Sequence, residues 1–232
     1  MSAAPPAEDL FSHLLAACDD DWAAYVRHPF VRALADGSLP QACFRRYLVQ
    51  DYLFLVHFAR AYGLAAFKAE TLGDIRAAAA GLTAIVDREL DLHVAYCEGW
   101  GMGADQLGAA EEADATVAYT RFVLEKGLSG DLLDLQVALA PCVVGYGEIG
   151  RALADDPATL RNENPYESWI EMYGGADYQA VADAHVDRMS EIFARRGGPA
   201  RLSGLVATFR QATRLERAFW DMAFATAAAP LA

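Results

Sequence analysis

A chain of 232 residues with 54% apolar and 22% charged residues can bury one substantial core, and this balance argues against intrinsic disorder. The formal net charge is −13, with 19 Lys and Arg against 32 Asp and Glu. Non-specific binding to nucleic acid or anionic lipid rests on clustered basic residues, so the charge disfavours both and leaves a small neutral-to-cationic ligand open.

Residues 1–10 lack the charged-then-apolar pattern of a secretory leader. No apolar run reaches the ~18 residues of a membrane span. Cys18, Cys43, Cys97 and Cys142 form neither a CxxC pair nor a zinc spacing, so they are expected to be thiols. A cytoplasmic protein with one domain over 1–232, loose only at 1–8 and 226–232, is the expectation.

Helical periodicity runs through the chain. Short helices are predicted at 7–24 and 30–36. A long one begins after Pro40 and runs to about Glu70, with Phe44, Tyr47, Leu48, Asp51, Leu55 and Phe58 at i, i+3 and i+4 spacing; Asp51 therefore falls on or beside an apolar face. The pattern recurs over 75–96 with Leu82, Ile85, Val86, Leu90 and His93, and again over 104–126, 131–154, 166–172, 176–195 and 199–225. Breakers separate these segments at 36–40, 99–103, 127–130, 174–175 and 197–199. Alternating β-branched runs are scarce, so the fold expected is all-α, a compact single bundle of about seven to nine helices. Such bundles hold ligands between facing helices.

Several side chains then stand out. Cys142 and Tyr146 lie one turn apart in Pro141-Cys142-Val143-Val144-Gly145-Tyr146-Gly147-Glu148, in mid-helix. The proline and two glycines there are costly in a helix, each Gly by ~1 kcal/mol, which points to excluded bulk, for close packing or for a ligand. On spacing alone Cys142 is a small buried thiol or a nucleophile. Asp51 is either salt-bridged or an acceptor for a substrate amine. Glu216 shares a helix face with Phe219 and Trp220; it is either paired to Arg214 or Arg217, or an acid with a raised pKa. Glu89 and His93, with the distant His185, bring to mind a carboxylate-bridged iron site, but the spacing departs from the Glu-x-x-His pairs of such bundles, and a hydrogen-bonded pair is the simpler reading. Tyr52, Phe54, Tyr119, Tyr146, Tyr173 and Phe219 are core aromatics or walls for a flat ring.

The ordered set of segments resembles the TenA/thiaminase II family. His28-Pro29-Phe30-Val31, Asp36-Gly37-Ser38-Leu39-Pro40 and Tyr47-Leu48-Val49-Gln50-Asp51-Tyr52 are similar to its first part. Pro141-Cys142 with Tyr146, Trp169-Ile170-Glu171-Met172-Tyr173-Gly174-Gly175, and Glu216 with Phe219-Trp220-Asp221-Met222-Ala223 are similar to the rest. The likeness implies a haem-oxygenase-like helical fold, a cytoplasmic homotetramer and no cofactor or metal. It implies hydrolysis of 4-amino-5-aminomethyl-2-methylpyrimidine, and more slowly of thiamine, to the 5-hydroxymethyl pyrimidine in thiamine salvage.

Carried over position by position, Cys142 is the nucleophile, Asp51 holds the 4-amino group and a ring nitrogen, and Glu216 is the acid/base. Tyr146 and Tyr173 hydrogen-bond near the thiol or ring, and Tyr119 and Phe219 wall the pocket. Phe54 replaces a tyrosine common in relatives, which bears on rate or substrate. The roles of Glu89, His93 and Glu148 stay open at this point. So do two other functions for the same fold: a di-iron or cofactor-free oxidase, and a non-enzymatic regulator.

Overall fold

The computed structural model describes residues 9–225; both predicted loose tails lie outside the described residues. Among the described residues, twelve α-helical segments run in chain order: α1 Leu10–Ala17, α2 Asp19–Val26, α3 Pro29–Ala35, α4 Gln41–Lys68, α5 Leu72–Ala84, α6 Leu90–Glu98, α7 Ala104–Gly108, α8 Asp114–Ser129, α9 Leu132–Asp155, α10 Glu167–Gly174, α11 Ala176–Arg196 and α12 Pro199–Phe224. A π-helical turn, Ile85–Glu89, joins α5 to α6 without a break. No strand occurs among the described residues, in agreement with the all-α expectation.

Helix starts follow local chemistry. Asp9, Thr71 and Asp131 each accept hydrogen bonds from first-turn amides, and Pro29 and Pro199 open α3 and α12, where a missing N–H costs nothing.

The twelve segments among the described residues exceed the seven to nine helices expected, and the expected boundaries are corrected in three places. The predicted helix 7–24 is two helices, because the Cys18 amide donates to the carbonyl of Leu15 at 2.9 Å and the chain restarts at Asp19. The predicted helix 104–126 is interrupted at 109–113. There Gln50 of α4 takes over the backbone partners: its Nε2 donates to the carbonyl of Glu111 at 2.9 Å, and its Oε1 accepts from the amide of Ala113 at 2.8 Å. A buried amide side chain thus satisfies groups that a helix would otherwise pair. Finally, Gly127 is no turn. It lies inside α8, where a Cβ would come within 2.6 Å of Leu64 on α4.

α9 is the central rod, packed against α2, α4, α8, α10, α11 and α12. By length and mean hydropathy alone it could cross a membrane, but it is interrupted by Asp134, Gln136, Glu148 and Arg151 and 78% of its most apolar stretch is buried inside the protein, as befits a core helix. Its glycines set how near its neighbours come. A Cβ on Gly145 would lie 2.4 Å from the Tyr25 ring, and one on Gly147 would lie 2.9 Å from Ala182. The excluded bulk read from the sequence is therefore close helix packing at these two positions.

Gly150 is the tightest of these contacts against backbone: its Cβ would meet the carbonyl carbon of Tyr173 at 2.3 Å. Gly150→Ala is expected to push α10 away from α9 and to destabilise the fold by about 1–3 kcal/mol, read as a lowered denaturant midpoint. An unchanged midpoint would contradict the close approach.

Candidate active site

Asp51 is buried in the middle of α4, 4% exposed, so its partners decide what it can do. Among the described residues no arginine pairs with it. Tyr47, one turn earlier, donates its hydroxyl to Asp51 Oδ2 at 2.9 Å, and Trp169 Nε1 donates to that same hydroxyl at 3.2 Å. His93 Nε2 lies 2.7 Å from Asp51 Oδ2, while His93 Nδ1 lies 2.7 Å from the backbone carbonyl of Glu89. A carbonyl only accepts, so Nδ1 carries a proton and Nε2 is the nitrogen turned to the carboxylate. Burial pulls the His93 pKa down, but the hydrogen bond and charge of Asp51 outweigh it, and the net shift is upward. An imidazolium donating from both nitrogens fits this arrangement.

Glu216 on α12 is 2% exposed. Neither expected arginine neutralises it: Arg214 pairs with Asp21 and Arg217 with Asp221. Instead Tyr119 donates its hydroxyl to Glu216 Oε1 at 2.8 Å, and the Cys142 thiol is near enough to the same carboxyl group for the charge of one to act on the other. Burial pushes the Glu216 pKa up to about 8, with the Tyr119 hydrogen bond partly opposing. Cys142 projects from α9 and is half-buried. Its thiol is pushed well above the usual range, first by burial and then by the negative charges of Glu216, Glu89 and Asp51. A resting thiolate is thus disfavoured, and a base in direct contact is needed to form one.

Aromatic rings fill the space between these acids. Phe54 packs 4.9 Å from Tyr119 and 5.8 Å from Phe219, beside Glu216. On the other side Tyr146 lies 4.9 Å from Tyr173 and 5.4 Å from Trp220. The hydroxyl of Tyr173 donates to Glu89 Oε1 at 2.9 Å. Cys142 and Glu89 both line a cavity of about 520 Å³, together with Phe58, Tyr62, Met172 and Tyr178. That volume is in the range of small-molecule sites.

Other candidates lie elsewhere. His185 is near the carbonyl of Gln136 at 3.0 Å, and burial lowers its pKa to about 4. Glu148 accepts from Trp22 Nε1 at 2.9 Å, a structural tie. Among the described residues no three His, Cys, Asp or Glu side chains gather as a metal site. Tyr47, Trp169, Tyr62 and Tyr178 were not singled out from the sequence as site residues. Tyr47, at i−4 from Asp51 on one face, carried the signal; the others are brought in by packing alone.

A model of the TENA/THI-4/PQQC family matches residues 15–226. The aminopyrimidine aminohydrolase of Halalkalibacterium halodurans is 36% identical over 204 residues, which is 88% of this chain and 90% of that protein. An uncharacterized protein of Haemophilus influenzae is 38% identical over 201 residues, covering 87% of this chain and 92% of its own length. A crystal structure from a Silicibacter species, described as a TenA family transcription regulator, superposes with a TM-score of 0.88 at 44% identity, covering 94% of this chain and 98% of that one.

Proposed function

The chain belongs to the TENA/THI-4/PQQC family, and from that premise we propose that it is a hydrolase of thiamine-related aminopyrimidines, acting through Cys142, Glu216 and Asp51. What supports this reading is a buried Glu216 carboxyl group steadied by Tyr119, its charge acting on the thiol of Cys142, which lines a cavity, together with an Asp51 oriented by Tyr47 and His93. The substrate we assign is 4-amino-5-aminomethyl-2-methylpyrimidine, with thiamine cut more slowly, and the product is the 5-hydroxymethyl pyrimidine of thiamine salvage.

An amine on a ring-bound methylene is a poor leaving group until the ring supplies electrons. Glu216, as carboxylate, takes the proton of Cys142, and the thiolate adds to ring carbon 6. The electron pair that arrives on the ring nitrogens returns through carbons 4 and 5, forms an exocyclic methylene and breaks the bond to the amine. Glu216 gives its proton to the departing nitrogen. Water then adds its oxygen to the methylene and its proton to Glu216, and the returned electron pair expels the thiolate and restores aromaticity. The thiol is regained when Glu216 releases that proton to sulfur.

Asp51, held by Tyr47 and His93, accepts from the 4-amino group and fixes the ring. Phe54, Tyr119 and Phe219 wall one side of the ring, and Tyr146 and Tyr173 the other. Phe54 brings no hydroxyl, so Tyr119 is the phenol that steadies Glu216. A cytoplasmic homotetramer goes with this reading. Phe67, Leu72 and Leu128, all exposed, are apolar surface of the kind such an assembly covers.

Incubation of the purified protein with the 5-aminomethyl substrate in oxygen-18 water is expected to yield labelled 5-hydroxymethyl pyrimidine and ammonia in equal amounts. No product, or product without the label, would overturn the reading.

A further inference from the structure

Glu89 is a carboxyl group that the reaction above does not use. It closes the π-helical turn Ile85–Glu89, in which the amide of Leu90 reaches back to the carbonyl of Ile85. Such turns add a residue to the helix and re-aim the side chains around it, often at functional sites. One turn further on the same continuous helix, His93 holds Asp51. Glu89 is therefore fixed relative to the group assigned to the ring's 4-amino edge.

Tyr173 donates to Glu89 Oε1 at 2.9 Å and, among the described residues, is the side chain that hydrogen-bonds this carboxyl group. Glu89 is half-buried and lines the same cavity as Cys142. Burial, opposed by the charge of His93 and the Tyr173 hydrogen bond and helped by the charge of Asp51, raises its carboxyl pKa to about 7, so a hydrogen-bond donor or cation arriving in the cavity favours its ionised, accepting form.

The substrate's connectivity says what meets it. Carbon 5 lies between carbon 4, whose amino group faces Asp51, and carbon 6, which faces Cys142. The substituent on carbon 5 is the part that departs, so it must point into open space. The open space beside Cys142 is the cavity that Glu89 lines.

We propose that Glu89 is a specificity-determining residue that accepts a hydrogen bond from the aminomethyl nitrogen of the substrate and so selects primary-amine leaving groups over leaving groups without an N–H. Thiamine is the natural contrast. Its leaving thiazolium is also cationic, but the ring nitrogen bonded to the methylene bears no hydrogen and cannot donate. The inference rests on the aminopyrimidine reading and adds to it the origin of leaving-group preference.

The test compares kcat/KM for the 5-aminomethyl pyrimidine and for thiamine in the wild type and in Glu89→Gln. The amide oxygen can still accept from Tyr173, but an NH2 group then faces the cavity. The aminomethyl substrate is expected to lose about tenfold or more while thiamine changes by less than about threefold, so the preference collapses. Equal losses on both substrates, or no loss on either, would overturn the assignment. Turnover of neither substrate by the wild type would overturn the functional reading itself, a separately visible failure. If Glu89→Gln does not fold, Glu89→Asp keeps the charge but shortens the reach; its KM for the aminomethyl substrate alone is expected to rise, and an unchanged KM would count against the proposal.

Discussion

Cys142→Ala is expected to lower the hydrolysis rate of the 5-aminomethyl pyrimidine by about 10³-fold or more, equivalent to about 4 kcal/mol of transition-state stabilisation. Without the thiol, the ring has no internal nucleophile to break its aromaticity, and water would have to displace the amine directly. Substrate binding is expected to survive, because Asp51 and the aromatic walls are independent of the sulfur. The loss should therefore fall on kcat with KM nearly unchanged. The fold should tolerate the change, since Cys142 is half-buried beside a cavity and alanine needs no new room. Steady-state kinetics on the folded variant checks this; a variant within threefold of wild type, the scale of ordinary mutational scatter, would remove Cys142 from the chemistry.

Glu216→Gln is expected to cost about 10²–10³-fold in kcat/KM and to change the pH profile. The carboxyl group must be ionised to accept the thiol proton, and burial holds its pKa at about 8. Wild-type kcat/KM should therefore climb as pH rises towards 8, and the variant should lack that limb. Stability should move the opposite way. A carboxyl group whose folded pKa exceeds its unfolded value contributes stability below the unfolded pKa, and this contribution is lost as pH rises through about 8. Glutamine cannot ionise and can still accept from Tyr119. The variant should thus be less active yet more resistant to denaturant than wild type at pH 8–9, the stability–function trade expected of a strained catalytic group. A destabilised variant with an unaltered pH profile would reduce Glu216 to a packing role.

The sequence made the local half of this account legible. The apolar face of α4 carries Asp51 inward because the i, i+3, i+4 spacing leaves the side chain no other place, and the same logic buries Glu216 with Phe219 and Trp220 on α12. The costs of Gly145 and Gly147 were visible too, but not their cause, since Tyr25 and Ala182 arrive from distant segments.

What periodicity misses is long-range hydrogen bonding. The break at 109–113 exists because Gln50 supplies partners from another helix. The π-helical turn hides inside an uninterrupted helical pattern, since an extra residue per turn leaves no breaker behind. The choice of His93 rather than an arginine for Asp51, and of Tyr119 rather than Arg214 or Arg217 for Glu216, depends on helix packing that no local spacing encodes. Candidate residues could be named from the sequence and from the family likeness; their hydrogen-bond partners, which decide protonation, could not.

The most direct test is a rapid acid quench of the wild-type protein during steady turnover, followed by mass measurement of its peptides. The peptide carrying Cys142 is expected to gain the mass of the pyrimidine with its methylene and without its amine. An unmodified Cys142 peptide, together with full activity in Cys142→Ala, would contradict thiol addition and return the chemistry to direct attack by water.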